Sequence, residues 1–222
     1  VPTGALHQLP WAALPSLADR AIAVTPSAHV WHRATEPTAP IDGVLVATGP
    51  GLPHADDEAR VVAGVWGVHP VPMATNGQLA DGLAAADVLH VCCHGRFRAD
   101  NPQFSALDLA DGPFMVVDLD RALRLPSLVV LSACNVGAVD TRMGDDVLGF
   151  PAALLARGVR TLIAASLPIE DRAAGEMAVA LHRALVDGLR PSAALGRARD
   201  AVGDRSPAHA AAAASMSCFG AG

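Results

Sequence analysis

Four short apolar runs, at residues 43–48, 87–93, 128–133 and 160–167, most constrain what this chain can fold into. Each is rich in Val, Leu, Ile or Ala on both alternating faces, and stretches of helical or turn character separate them. Strands apolar on both faces belong in a parallel sheet with helices packed on each side, because parallel strands need crossovers and their faces need cover. Helices are expected over residues 56–66, 76–86, 145–157 and 171–187, with Gly158 and Gly188 closing the last two. A further helix is expected to start at Pro191, since proline suits the first helical turn. Residues 68–73 read as a short strand limited by prolines, and residues 105–109 and 114–117 as a hairpin about Asp111-Gly112. The tail from residue 208 admits two readings: a helix by alanine propensity, or a closing edge strand. No repeat or composition break divides residues 1–222, so one domain is expected. The chain opens on Val1 rather than Met, which reads as a piece of a longer protein.

Composition narrows the function classes. Hydrophobic residues make up 51% and charged residues 17%, a balance that excludes intrinsic disorder. No apolar stretch reaches the roughly 18–20 residues of a membrane-spanning helix, so no membrane partner is expected. The net charge is −6 with no basic run, which argues against a nucleic-acid partner. All 16 basic residues are arginines, so lysine Schiff-base chemistry and a phosphate-loop lysine are excluded. The N-terminus lacks a basic segment followed by an apolar one, and a reducing, cytoplasmic setting is the expectation. Four cysteines (Cys92, Cys93, Cys134 and Cys218) are too few for a disulfide framework at this length.

Reactive groups in an open parallel sheet gather where the strands end at their C-terminal edge. Two of the expected strands end in such groups: residues 87–93 lead into His94, and residues 128–133 lead into Cys134. A thiol becomes a nucleophile when an imidazole takes its proton. Gly95, beside His94, lets backbone amides approach a carbonyl closely, so the amides of Gly95 and Cys134 are candidate oxyanion donors. The competing reading is that a strand-end cysteine is a small core hydrophobe and a strand histidine a packed, hydrogen-bonded one. Cys92, Cys93 and His94 have no second ligand pair at zinc spacing, and no metal or cofactor is expected. Asp145 and Asp146 read as the start of a helix, and Arg96 and Arg98 as groove or surface residues.

The motif carrying His94 is Val88-Leu89-His90-Val91-Cys92-Cys93-His94-Gly95, followed by Asn101-Pro102, Ser105-Ala106-Leu107 and Asp111-Gly112. The second, around Cys134, is Val129-Val130-Leu131-Ser132-Ala133-Cys134, followed by Gly144-Asp145-Asp146, Gly149, Gly158-Val159 and Ser166-Leu167. In this order the two motifs resemble the signatures of the CHAT domain, a caspase-like module associated with tetratricopeptide repeats. The likeness runs through Asp171 to Cys218-Phe219-Gly220. It implies a caspase-like three-layer α/β sandwich, with a mostly parallel central sheet and helices on both faces. It also implies cysteine endopeptidase activity by a His–Cys dyad, with His94 as the base and Cys134 as the nucleophile. A protein or peptide substrate follows from it, as do tetratricopeptide-repeat or other regulatory domains elsewhere in the full-length chain. A latent or non-catalytic scaffold is the alternative. Cys93 stands where many relatives carry Thr or Ala, and Leu167-Pro168 replaces the usual Leu-Trp, which bears on subsite preference. Asp171 lies where separase-like relatives place an acid that accepts a basic P1 side chain; the plainer reading is a helix N-cap. A loop over residues 140–144, with Arg142 as a processing point, is a conceivable block on the groove.

Overall fold

The structure is a computed structural model, which describes residues 1–3, 6, 9–17, 19–35, 40–96, 98, 101–121, 124–132, 140–141, 147–148 and 150–222. Its central sheet has five strands: β1 (Val44–Thr48), β2 (Val88–Cys92), β6 (Leu128–Ser132), β9 (Thr161–Ala165) and β10 (Met216–Gly220). They lie side by side in that order. The first four run parallel, and β10 closes the sheet antiparallel to β9. Both edges are partly covered. Val24 bridges to Phe219 on β10, and Val71 to Ala47 on β1. Edge strands commonly gain such cover, because an open row of N–H and C=O groups invites unwanted pairing.

The strands are buried on both faces, as their unbroken apolar sequences require. Leu89, Val91, Val129, Leu131, Leu162 and Ala164 form one core cluster with Leu79 and Leu83 of α3 (Asn76–Ala85) and Leu154 and Leu155 of α4 (Phe150–Ala156). On the other face Val88, Val130 and Ile163 pack with Met177 and Leu181 of α5 (Asp171–Val186) and Leu195 of α6 (Pro191–Val202). Val46 and Cys92 there meet Ala59 and Val62 of α2 (Ala55–Trp66). Helices therefore cover the sheet on both sides. Val46, Val91, Leu162 and Ile163 have no exposed surface, and full burial of such a side chain contributes roughly 1.5–3 kcal/mol.

Local signals explain where the helices begin and end. Asp56, Asp57 and Glu58 open α2, where negative charge complements the dipole, and left-handed Gly67 ends it. Thr75 and Gln78 form a reciprocal capping box on α3. Pro191 opens α6. The alanine-rich tail satisfies both readings in turn: α7 (Pro207–Ser215), capped by Ser206, passes directly into β10.

Three expectations need correction. Residues 68–73 contribute only the single Val71–Ala47 bridge, not a strand, because Pro70 and Pro72 remove two of the amides a ladder needs. The helix expected from residue 145 begins at Phe150; Val147–Leu148 is instead the extended strand β8, paired with β7 (Asp140–Thr141). The expected hairpin is present as β4 (Ala106–Leu109) and β5 (Gly112–Met115), but it gains a third strand, β3 (Gly95–Arg96). A short helix, α1 (Ala28–Ala34), capped by Ser27, had no counterpart in the sequence reading.

Candidate active site

Strand β2 lies inside the sheet, between β1 and β6, and delivers its C-terminal residues to the sheet edge. Alternation along it sends Leu89, Val91 and Cys93 into the core shared with α3 and α4. Val88, His90 and Cys92 face α2 and α5. His94 lies just past the strand and is exposed. Its backbone is tied down, since its carbonyl accepts from Asp108 N–H at 2.8 Å. Its ring Nε2 lies 3.3 Å from the carbonyl oxygen of Gly51, in the loop after β1. A carbonyl can only accept, so this contact places the neutral ring's proton on Nε2 and leaves Nδ1 as the basic nitrogen. Gly51 has a φ of +85°, and a Cβ there would lie 3.2 Å from His94 Nε2. Glycine thus supplies both the left-handed turn and the room for the ring.

Strand β6 lies beside β2 in parallel register, with Cys92 opposite Ser132. Cys134, two residues beyond Ser132, lies outside the described residues, as do Gly144, Asp145, Asp146 and Arg142. Gly95 is half-buried and opens β3, opposite Leu107. Arg96 pairs with Asp108, which joins the segment after His94 to β4. Asp171 stands at the start of α5, but the capping role belongs to Glu170. The Glu170 carboxylate accepts from Arg172 N–H at 3.2 Å and Ala173 N–H at 2.8 Å. Asp171 Oδ2 instead accepts from His54 N–H at 3.0 Å, linking α5 to the start of α2.

Beneath the strand ends lies a set of polar groups that the sequence reading did not bring together. Glu58, His90 and Cys92 are buried, and one potential ligand atom from each falls within 4.8 Å of the others. Trp66 Nε1–H donates to His182 Nδ1 at 2.9 Å. His182 Nε2 is 3.1 Å from His90 Nδ1. His90 Nε2 is 3.0 Å from Cys92 Sγ and 3.1 Å from Glu58 Oε1. Ser132 Oγ–H donates to Glu58 Oε2 at 3.1 Å.

An indole N–H can only donate, so His182 must accept at Nδ1. Burial, then the neighbouring His90, holds the His182 pKa well below its ordinary value, so its single proton sits on Nε2 and is donated to His90. His90 accepts at Nδ1 and therefore carries its own proton on Nε2, toward Cys92 and Glu58. The Cys92 thiol is pushed well above its usual range, first by burial and then by the Glu58 charge and hydrogen bond. A cation at this point would need His90 Nε2 and Cys92 Sγ stripped of their protons. As protonated, the donor set forms a chain of hydrogen bonds.

Burial also raises Cys93 and Cys218, each to about 12. A cavity of about 670 Å³ lies between α2, α5 and α6, lined by Asp57, Val61, Glu176, Val179, Arg183 and Arg197 among others; His94 is not in its wall.

No curated protein matches the chain. Among solved structures, the separase of the Saccharomyces cerevisiae separase–securin complex superposes with a TM-score of 0.73 at 13% identity, covering 96% of this chain and 14% of that one. The Arg-specific cysteine proteinase gingipain R gives a TM-score of 0.57 at 12% identity, over 80% of this chain and 46% of that one. The complex of Porphyromonas gingivalis RgpB pro- and mature domains gives 0.54 at 11% identity, with the same coverage. The chain thus spans about one seventh of the separase chain and under half of gingipain. At these identities the likeness establishes the fold, a caspase-like α/β sandwich. The family model described as CHAT domain matches residues 1–215, and the chain belongs to that family.

Proposed function

We propose that the chain is a cysteine endopeptidase domain that hydrolyses peptide bonds with His94 and Cys134. One observation carries the reading. Adjacent parallel strands β2 and β6 leave the sheet at the same level, with Cys92 opposite Ser132, each two residues before a member of the dyad. The exposed, carbonyl-anchored ring of His94 supports it.

The chemistry follows from those groups. His94 Nδ1 accepts the Cys134 thiol proton, and the thiolate adds to the substrate carbonyl. The Gly95 and Cys134 amides receive the oxyanion; loss of one such donor typically costs about 2.7–4 kcal/mol of barrier. His94 then returns the proton to the leaving amine, and water releases the acyl group from sulfur. The Gly51 carbonyl, accepting from Nε2–H, offsets the positive charge His94 carries between these steps.

Asp171 is the candidate acid for a basic P1 side chain. Oδ2 is engaged by His54 N–H, which leaves Oδ1 for a guanidinium or ammonium. The substrate is a protein or peptide, and we place control of the site with tetratricopeptide-repeat or other domains of a longer cytoplasmic chain. A peptide library scanned at P1 tests the reading. Cleavage after Arg or Lys by the wild-type chain, lost in Cys134→Ala and with its basic preference reduced in Asp171→Asn, is the expected result. Undiminished cleavage by Cys134→Ala contradicts the mechanism, and indifference to P1 charge contradicts the role of Asp171.

A further inference from the structure

The hydrogen bonds around Glu58 run in one direction. They start at the donor-only indole of Trp66 and pass through His182 and His90 to Cys92; Glu58 Oε1 stands 3.1 Å from His90 Nε2 without a hydrogen bond from it. A second donor, the Ser132 hydroxyl, arrives from the neighbouring strand. Glu58 is only 5% exposed. A buried carboxylate is costly unless donors face it; here Oε2 accepts from Ser132, while Oε1 faces His90 as a close polar contact. The covering helix is shaped to allow it, since a Cβ at position 175 of α5 would stand 3.2 Å from Glu58 Oε2.

The groups Glu58 gathers are not arbitrary. Cys92 and Ser132 are register partners and the last residues of β2 and β6. Each precedes by two residues a member of the proposed dyad. A single carboxylate therefore touches the ends of both strands from the α2–α5 face of the sheet: Ser132 of β6 by a hydrogen bond, and His90 of β2 by a 3.1 Å contact.

We propose that Glu58 is a positioning residue for the His94–Cys134 centre, linking the end of β6, through Ser132, to the end of β2, where it stands against the His90–Cys92 pair that the one-way chain from Trp66 orients. The proposal rests on the peptidase reading. It gives an apparently structural cluster a share in catalysis, and it sets the tautomer of two histidines that do not touch the substrate.

The test compares wild type, Glu58→Ala, Glu58→Gln and Ser132→Ala, with cooperative unfolding as the check that each is folded. The rate of Cys134 alkylation by an electrophilic peptide probe is measured for each. Misplacing reacting groups by about 1 Å can cost on the order of 10²-fold, so Glu58→Ala is expected to label at least about tenfold more slowly than wild type. Glu58→Gln, whose amide can accept from the His90–Cys92 side and donate to the rotatable Ser132 hydroxyl, is expected to retain more of the rate than Glu58→Ala. Ser132→Ala removes one arm of the link and is expected to slow labelling even if Glu58→Ala does not fold. Imidazole ¹⁵N spectra of the wild type should show His90 and His182 both protonated on Nε2, with His182 unchanged through neutral pH. Folded Glu58→Ala that labels at the wild-type rate overturns the positioning role while leaving the peptidase reading intact. An Nδ1-protonated His90 or His182 overturns the chain that orients the β2 arm of the link. A wild type that is not labelled at Cys134 refutes the peptidase reading itself, a different failure.

Discussion

At the scale of single residues, position separates the cysteines. Cys92, Cys93 and Cys218 are buried with pKa values raised by desolvation, so at neutral pH they hold their protons and are poor nucleophiles. Alkylation of the native protein with iodoacetamide at neutral pH, followed by peptide mapping, is therefore expected to leave these three unmodified; rapid modification of any one would show that its thiol is accessible and acidic. Gly51 is the second sensitive residue. Gly51→Ala combines a left-handed φ with a methyl group against the His94 ring. It is expected to cost roughly 1 kcal/mol of stability and to slow peptide hydrolysis by at least about tenfold through loss of ring placement. An unchanged kcat/KM would mean that the Gly51 carbonyl does not orient the histidine. The position of His94, exposed just past the end of a buried strand, was legible in the sequence. The Glu58 chain was not, because its members stand 32, 92 and 116 positions apart at their contacts, and the fold alone brings them together. Only the His90-x-Cys92 alternation, which puts two polar groups on one face of a buried strand, hinted at it.

At the scale of elements, strong local chemistry was legible and weak chemistry was not. The four apolar runs became β1, β2, β6 and β9 within a residue or two, because nothing but a covered sheet satisfies them. The Thr75–Gln78 capping box marks the start of α3 on the same grounds. Thr75→Ala is expected to destabilise the fold by about 1 kcal/mol and to lower Tm by about 2–4 °C, measured by calorimetry; no change would mean that α3 is held by packing alone. The two-residue strands β3, β7 and β8 were missed, since pairs of residues carry no periodicity and take their conformation from partners. Pro70 and Pro72 misled in the other direction: an apolar run with two prolines can touch a sheet edge but cannot join its ladder.

For the whole molecule, acid is the weak point, and three groups agree on the sign. His182 has a folded pKa well below its ordinary value of 6.5. Below that pH the unfolded chain takes a proton that the folded chain refuses, so stability falls as the pH drops. Glu176 is lowered chiefly by hydrogen bonds from Arg205 and Arg172, and Asp87 by the Asp42 amide and Arg124. Their contributions are present above the ordinary carboxylate range and are lost as the pH falls through their lowered values. Urea unfolding between pH 7 and pH 5 is therefore expected to show stability falling toward the acid side, with His182 contributing a slope approaching about 1.4 kcal/mol per pH unit. A flat profile would show that His182 is not held neutral in the core. The overall architecture was legible because the parallel sheet and its covering helices leave few arrangements for such a chain, and the CHAT family match agrees with it.

The central claim is that His94 and Cys134 act as one unit. Its most direct test is the rate at which an electrophilic peptide probe alkylates Cys134 in the wild type and in His94→Ala. The account predicts selective modification of Cys134 in the wild type, and a rate lower by about 10²-fold or more without the imidazole. Equal rates in the two proteins would contradict it.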